Sequence, residues 1–314
     1  MTGSLTSTSR SEPSGVISSR TETYPPVYAI LPSRHGEVHD LVSSLRYQTT
    51  PPDMIQVVVG GRPNGKARNQ GVSQVKNHTS SIQNQDEILV FVDDDALPGD
   101  SNLVQVLVQT LLDDDGIGVV GAARVLPPKS SWFQRRVAYE IPRTVNHIPD
   151  QPIETNPPLQ GYGHSLITTT CCAVRLSVFE EAGGFSDSLT SGVDTDFFYR
   201  VRSRGYRFIL APDVHVHHPA PADLIALLRK FHWYGVGYGQ EVLRRTERKM
   251  GPQIPTLFHQ LLILLLATLW LVPNIFILYS FSYPKFEIGF RPLKALSSYA
   301  VAWGYVAGWR KVRA

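Results

Sequence analysis

The stretch EILVFVDDDALP, residues 87 to 98, decides the fold class of this chain. A short apolar run bounded by polar residues is consistent with a strand that is buried on both faces. The run ends directly in three carboxylates, Asp93, Asp94 and Asp95. Ligands of open α/β sheets bind beyond the carboxyl ends of the strands. The three aspartates are therefore predicted to lie at a ligand site.

Strand-like and helix-like segments alternate around this stretch. Further strands are predicted at 27–31, 55–61 and 116–125, and helices at 38–47, 67–75 and 102–112. Such alternation is typical of a mostly parallel sheet with helices on both faces. The sequence therefore predicts an α/β domain over residues 25–220. Residues 1–24, rich in Ser, Thr, Gly and Pro, predict a disordered tail.

The composition excludes several classes of protein. Of the 314 residues, 42% are hydrophobic and 18% are charged, as in an ordinary folded protein. The net charge of +3 is too small to indicate a nucleic-acid partner. The two cysteines, Cys171 and Cys172, are adjacent, which predicts neither a disulfide framework nor a zinc-finger site, so a reducing compartment is expected.

The spacing of Asp93 and Asp95 indicates a metal site. Side chains two residues apart on a strand share a face, and two close carboxylates repel each other unless a cation lies between them. Oxygen ligands with open positions suit Mg²⁺ or Mn²⁺ bound together with a substrate diphosphate. The alternative is a solvated acidic turn, which is how we interpret the second acidic run at 113–115, because it follows a helix.

A second group of polar residues lies in the segment 183–221. Asp194 and Asp196 precede a helix that is predicted to begin near Phe197, and either could simply cap that helix. A predicted strand then ends in a histidine cluster at 215, 217 and 218. One of these histidines could offer a neutral imidazole to a metal.

The C-terminal third indicates a membrane partner. Residues 261–281 carry no charge and reach about 31 Å as a helix, enough to cross a bilayer, although a buried core helix remains the alternative. The apolar stretch 295–309 is short for a span and suits an interfacial or re-entrant helix or the return leg of a hairpin. We therefore predict a membrane-associated segment over 257–314.

Residues 221–256 are predicted to form an amphipathic linker helix region. Trp233, Tyr234 and Tyr238 suit a belt at the level of the lipid headgroups, and the alternative is a helix packed on the α/β domain. A basic cluster precedes the apolar run and predicts that the α/β domain faces the cytoplasm; it consists of Arg244, Arg245, Arg248 and Lys249.

Four segments in order resemble family 2 glycosyltransferases with the GT-A fold. They are ILPSRHGEVHDLVSSLRYQT (30–49), GKARNQG (65–71), FVDDDALP (91–98) and FEEAGGFSDSLTSGVDTDFFYRVRSRGYRF (179–208). The resemblance covers about residues 27–240. It implies inverting, metal-dependent transfer of a sugar from a nucleotide-diphosphate sugar to a hydroxyl of a glycan or lipid-linked acceptor, as in polysaccharide biosynthesis at a membrane.

The resemblance also implies roles for single residues. Asp194 would be the general base, Asp95 would bind Mn²⁺ or Mg²⁺ at the diphosphate, and His218 would complete that metal site. Asp93 would touch the ribose or sugar of the donor and belong to the metal site as well. The remaining donor-binding residues would be Pro32, Ser33, Arg34, Arg68, Asn69 and Asp94.

Two departures from the family pattern leave questions open. Gly60 and Gly61 stand where the family usually has an Asp that binds the nucleotide, and Val193 replaces the Glu before Asp194. The nucleotide and the acceptor contacts are therefore not predicted. A phosphatase of the haloacid dehalogenase type, for which Leu97 is the wrong residue, and a non-catalytic membrane-anchored binding protein are the alternatives.

Overall fold

Strand β3 lies inside an eight-stranded sheet in the computed structural model, which describes residues 25–79, 87–157, 166–244, 251–279 and 286–313. The strands are β1 Val27–Ser33, β2 Met54–Val59, β3 Ile88–Val92, β4 Leu97–Pro98, β5 Ile117–Val125, β6 Ile153–Glu154, β7 Cys171–Arg175 and β8 Arg207–His217. Their order is β2-β1-β3-β7-β5-β8-β4, and β6 also pairs with β8.

The predicted α/β sheet is confirmed. β1 pairs in parallel with β2 and β3, and β5 pairs in parallel with β8. All four strands predicted before residue 126 are present. The sequence analysis missed β7, which runs antiparallel between β3 and β5. Both cysteines lie in β7, where they are free and buried.

Helices cover both faces of the sheet. Those of the sheet region are α1 His39–Arg46, α2 Asn64–Thr79, α3 Leu103–Leu112, α4 Trp132–Glu140, α5 Leu176–Glu181 and α6 Val193–Arg202. The two faces follow from the alternation of side chains along each strand. In β1, Ala29 and Leu31 enter one core with α1 and α3, and Tyr28 and Ile30 enter the other core with α2, α5 and α6.

Helix α6 begins earlier than predicted. It starts at Val193 instead of near Phe197, so Asp194 and Asp196 lie in its first turn and do not precede it. Its N-cap is Gly192, which has a φ of +72° and no side chain to cap with. The interpretation of both acids as caps is therefore wrong.

Three long helices and a small hairpin follow the sheet. The helices are α7 Leu224–Arg244, α8 Leu257–Phe276 and α9 Pro292–Arg313, and strands β9 Ile277–Tyr279 and β10 Phe286–Ile288 pair between α8 and α9. The predicted apolar helix is thus shorter at its C-terminal end, because residues 277–279 form a strand. The predicted tail 1–24 and three members of the basic cluster, Arg245, Arg248 and Lys249, lie outside the described residues.

Helix α9 packs along α7 at very short range. A Cβ added to Gly304 would lie 2.0 Å from the carbonyl oxygen of His232, and one added to Gly235 would lie 2.2 Å from that of Val301. Gly239 and Gly308 repeat this contact one turn further along. Small residues four apart on both helices therefore let the two backbones touch, which is why the stretch 295–309 is a helix packed against protein along one side.

Candidate active site

A cavity of about 410 Å³ opens where β1 and β3 end, as the strand-end argument predicted. It brings together nine of the ten predicted site residues. They are Pro32, Ser33, Arg34, Arg68, Asp93, Asp94, Asp95, Asp194 and His218. These residues come from five separate segments, so the fold and not the sequence spacing makes them neighbours.

The tenth predicted residue, Asn69, does not line this cavity. Its side-chain amide donates to the carbonyl oxygen of Phe185 at 2.8 Å and to a carboxylate oxygen of Asp187 at 2.7 Å, and its amide oxygen accepts from the backbone N–H of Phe185 at 2.9 Å. Asn69 therefore holds the loop before α6. Its neighbour Arg68 points to the cavity, because consecutive helix residues face different directions.

Asp93 is bound to a buried arginine. Nη2 of Arg68 lies 2.5 Å from Oδ1 of Asp93, and Arg68 is only 2% exposed. Burial raises the pKa of Asp93, and the guanidinium of Arg68 partly offsets that rise. One oxygen of Asp93 is thus already neutralised by a fixed cation, which leaves its other oxygen for a ligand in the cavity.

Asp95 and His218 form a second pair at the cavity wall. Residues 97 and 98 of β4 pair with 217 and 216 of β8, and this register brings the two side chains together. Nε2 of His218 lies 3.5 Å from Oδ1 of Asp95. Burial lowers the pKa of His218 to about 3, so the imidazole is neutral near pH 7. Its Nδ1 is buried without a hydrogen-bond partner among the described residues.

This pair fits a divalent cation. Asp95 offers an accessible carboxylate, and neutral His218 offers a nitrogen lone pair. Within the described ranges no group of three or more His, Cys, Asp or Glu side chains is arranged to hold a metal. A cation at Asp95 and His218 would therefore need further oxygen ligands from water or a bound phosphate, as Mg²⁺ commonly has.

The other two histidines of the cluster are not in the cavity lining. Nδ1 of His215 lies 2.8 Å from Oδ2 of Asp100, and the ring of His215 packs edge-on against that of His217. The same carboxylate oxygen accepts the backbone N–H of His215 at 3.0 Å. His215 therefore ties β8 to the segment after β4, and only His218 can serve the cavity.

Asp194, in the first turn of α6, lines the cavity next to α7. The loop before it is held by Ser191, whose hydroxyl donates to the carbonyl oxygen of Trp233 at 2.8 Å. A Cβ on Gly237 would lie 2.1 Å from that hydroxyl oxygen, so only glycine permits this approach of α7. One oxygen of Asp194 accepts the N–H of Thr195 at 2.9 Å, which leaves the carboxylate anchored with an oxygen available to the cavity.

Asp196 is buried and has a different role. Its Oδ2 lies 2.8 Å from Nη2 and 3.1 Å from Nε of Arg200, one helical turn along α6. The side chain of Asp196 is 0% exposed, and it does not line the cavity. This aspartate is therefore a structural partner of Arg200.

The sequence analysis missed the residues that α7 contributes to the cavity. Lys230, Tyr234 and Tyr238 line it at a spacing of four, one side of a helix. Trp233 lines it too, so the three aromatic residues predicted at headgroup level lie instead in the cavity wall, as the alternative of a packed helix required. The periodicity of these polar and aromatic residues was the signal that could have identified them.

Two cations of this wall have distinct surroundings. The guanidinium of Arg143 stacks on the rings of Phe231 at 4.6 Å and Tyr234 at 5.7 Å. The ammonium of Lys230 faces Asp95: desolvation raises the pKa of Asp95, and Lys230 opposes the rise. The wall opposite Asp95 is thus positively charged and aromatic, a surface suited to phosphates and to sugar rings.

A family model described as "Glycosyltransferase like family 2" matches residues 18–235, more than half of the chain. No curated protein sequence matches this chain. Among solved structures, the mannosyltransferase PcManGT from Pyrobaculum calidifontis, in complex with GDP-Man and Mn²⁺, is similar with a TM-score of 0.49 and 16% identity, over 92% of this chain and 89% of that chain.

Two other similar structures are more distant. TarS 1–349 of S. aureus has a TM-score of 0.44 and 12% identity, over 92% of this chain and 91% of its own. GalNAc-T7, with UDP, GalNAc and Mn²⁺, has a TM-score of 0.39 and 11% identity, over 74% of this chain and 53% of its own.

Proposed function

The chain belongs to the glycosyltransferase-like family 2, and from this premise we propose that it transfers a sugar from a nucleotide-diphosphate sugar to an acceptor hydroxyl with inversion at the anomeric carbon. The α/β sheet with its strand-end cavity fits the GT-A fold expected of that family. Family membership favours a transferase over the two alternatives, a phosphatase and a non-catalytic binding protein.

One observation carries the proposal. A single cavity is lined by the Asp95–His218 pair, by Asp194 and by the Asp93–Arg68 ion pair. Glycosyl transfer needs a place for the leaving diphosphate and a base on the acceptor side. The groups gathered in this cavity offer candidates for both.

The reaction follows from these positions. The bond between the anomeric carbon and the diphosphate oxygen breaks through an oxocarbenium-like state, and the acceptor oxygen forms the new bond. Asp194 takes the proton of the acceptor hydroxyl. Lys230, which faces Asp95, adds positive charge to this part of the cavity. A Mn²⁺ or Mg²⁺ held by Asp95 and His218 would neutralise the charge that develops on the departing diphosphate.

The charge state of the cavity supports a single displacement. Four carboxylates of the described residues line it: Asp93 is bound to Arg68, Asp94 accepts the backbone N–H of Arg34 at 3.2 Å, Asp95 faces Lys230 and His218, and Asp194 lies beside α7. The first three thus have partners on the donor side, and we assign Asp194 to the acceptor side. One base without a second nucleophile gives inversion.

The acceptor side is aromatic and cationic. Trp233, Tyr234 and Tyr238 line the cavity next to Asp194, with Arg143 stacked on Tyr234. We assign to this wall a glycan or lipid-linked acceptor, whose sugar rings or phosphate it would contact. We also propose that the apolar helix α8 attaches the enzyme to a membrane and that the catalytic domain lies on the cytoplasmic side, as the basic residues from Arg244 onward indicate.

A panel of nucleotide sugars tests this function. Thermal unfolding of the full chain is measured with each UDP-, GDP- and dTDP-sugar, with and without Mn²⁺, because a bound ligand raises the apparent stability by mass action. One nucleotide sugar should raise the unfolding temperature, more with Mn²⁺ than without it, and Asp95→Ala should remove the Mn²⁺ increment. Asp113→Ala, in the exposed acidic run, is the matched control. A panel in which no nucleotide sugar stabilises the protein contradicts the proposal.

A further inference from the structure

Helix α8 carries a large exposed apolar surface. Over its 20 residues it has no Asp, Glu, Lys or Arg, its histidine His259 lies in the first turn, and only 11% of its most apolar 18-residue window is buried. Ten of its large apolar side chains are exposed, among them Phe258, Leu261, Leu265, Leu269 and Trp270. Apolar patches of this extent mark a binding surface for protein or membrane.

The side of α8 that is not exposed lies along α9. Near one end Nε of Arg310 donates to the amide oxygen of Gln260 at 2.7 Å, and near the other Nζ of Lys294 donates to that of Asn274 at 2.6 Å. Between them the hydroxyls of Thr268 and Tyr299 lie 3.2 Å apart. The two helices are therefore antiparallel neighbours over the whole length of α8.

Helix α9 in turn is fixed to the catalytic domain at its start. The carboxylate of Glu140, in α4, is completely buried and accepts the backbone N–H groups of Leu293 at 2.6 Å and Lys294 at 3.2 Å, the first turn of α9. Nη1 of Arg291 also donates to the carbonyl oxygen of Tyr139 at 2.8 Å. The remainder of α9 lies on α7 through the glycine contacts described above.

These contacts decide the orientation of α8. A helix that crosses a bilayer has its two ends on opposite sides of about 30 Å of hydrocarbon. Here both ends of α8 are tied to α9, and α9 lies on the catalytic domain from α4 to the C-terminal turns of α7. Crossing would also carry α7, which lies along α9, through the hydrocarbon. The loop before α6 is bonded to α7 at Trp233 and Gln240, so polar and charged side chains of the sheet region would enter hydrocarbon, where each ionised group is costly.

We infer that α8 does not cross the bilayer and instead lies in one leaflet, parallel to the membrane surface, with the catalytic domain above it. This inference rests on the membrane attachment proposed above and specifies its geometry. An apolar helix face of this kind enters the boundary between headgroups and acyl chains by about 5–10 Å.

The side chains around the ends of α8 suit that depth. At the C-terminal end the rings of Phe276 and Phe290 lie 6.1 Å apart, and the guanidiniums of Arg136 and Arg291 stack on the ring of Tyr139 at 5.4 and 4.9 Å. At the other end Arg310 and Lys311 are exposed. Aromatic rings and arginines beside an apolar face complement the interface and anionic headgroups.

A count of labelled cysteines per molecule tests the orientation. Gln253 precedes α8 and is exposed, and Gly289 follows β10, where an added Cβ would have no neighbour closer than 3.7 Å. The double variant Gln253→Cys/Gly289→Cys of the full chain is reconstituted from detergent into sealed vesicles of phosphatidylcholine and phosphatidylglycerol. A membrane-impermeant maleimide is added, and intact-mass spectrometry counts the labels. The two native cysteines are buried. The native chain, treated with the maleimide in the same way, is the control and should carry no label.

The outcomes separate the two proposals. A helix in one leaflet places both cysteines on the same side, so each molecule that floats with the vesicles carries two labels or none, and two after detergent is added. A crossing helix places them on opposite sides, so one label per molecule overturns the in-plane geometry and leaves membrane attachment intact. Protein that does not float with the vesicles overturns the attachment itself, while the nucleotide-sugar panel still tests the transferase.

Discussion

The sheet region and the C-terminal helices differ in what fixes their important residues. In the sheet region the site residues follow strand ends directly: Asp93 and Asp95 come after β3, and His218 comes after β8. In the C-terminal region the position of α8 depends on contacts between residues far apart in the chain, such as Glu140 with the first turn of α9, 153 residues away. Local patterns therefore reveal chemistry in the first region and only length and polarity in the second.

Removal of the carboxylate at a strand end should have the largest effect. Asp95→Ala removes one half of the Asp95–His218 pair, and we expect transfer to fall by about 10³-fold or more, since the charge stabilisation a metal provides is worth several kcal/mol. Excess chelator should do the same to the native chain. The assay is release of nucleoside diphosphate.

The second acidic run provides the control for this prediction. Asp113 is exposed in the loop after α3, so Asp113→Ala should leave transfer unchanged. If the two variants lose activity equally, position at the end of a strand is not what makes these carboxylates functional. Full activity of the native chain in excess chelator would rule out the metal-dependent mechanism.

Asp196→Asn should lower the free energy of unfolding by about 3 kcal/mol. The substitution leaves Arg200 without its buried ionic partner, and breaking a buried pair costs about 3–5 kcal/mol. A mere helix cap would be worth about 1 kcal/mol. Urea unfolding measures the difference. Asp194→Asn, in the same turn but facing the cavity, should change stability by less than about 0.5 kcal/mol.

For catalysis the order of the two variants is reversed: Asp194→Asn should lose activity and Asp196→Asn should keep it. Asp194→Asn should keep nucleotide-sugar affinity, measured by calorimetry, and lose at least about 10²-fold in turnover, the low end of what acid–base catalysis contributes. If it turns over normally, or loses donor binding entirely, Asp194 is not the base. Asp196→Asn, compared at a temperature where it is folded, should keep most of its turnover.

Much of the fold and of the cavity lining could be predicted from the sequence. Strand β3 and its carboxylates are contiguous, and their meaning follows from one rule about parallel sheets. Strand β7 was missed because CCAVR is short and has no alternation. The resemblance implied a donor-binding role for Asn69 but could not indicate that its side chain binds the loop at Phe185 and Asp187. The interpretation of Asp196 as a cap failed because burial and the partner Arg200 belong to the folded state.

The cavity wall on α7 and the orientation of α8 depend on tertiary contacts and could not be predicted. Aromatic residues such as Trp233 and Tyr234 suit a cavity wall and a lipid headgroup layer equally well. Their place in the cavity wall is decided by the close approach of Gly237 in α7 to Ser191. By its length and hydropathy alone, α8 would likewise be predicted to cross a membrane. The polar contacts at Asn274 and Gln260 that hold it along α9 are invisible to an average over 18 residues.

Gly304→Ala tests the backbone contact between α7 and α9. Of the four substitutions predicted to have an effect, it should have the smallest. The added Cβ would lie 2.0 Å from the carbonyl oxygen of His232, and backbone cannot move aside as a side chain can. Helices α7 and α9 must then separate, and we expect unfolding free energy to fall by about 1–3 kcal/mol, although alanine is favoured over glycine in a helix by about 1 kcal/mol.

Gly289→Ala is the matched control, because the same added methyl group there has no close neighbour, and it should change stability by less than about 0.5 kcal/mol. A loss confined to Gly304→Ala ties the stability of the chain to the α7–α9 contact. If Gly304→Ala is as stable as the native chain, the helices are not in backbone contact. The link that runs from the catalytic domain through α9 to both ends of α8 would then be lost, and with it the physical reason for placing α8 in one leaflet.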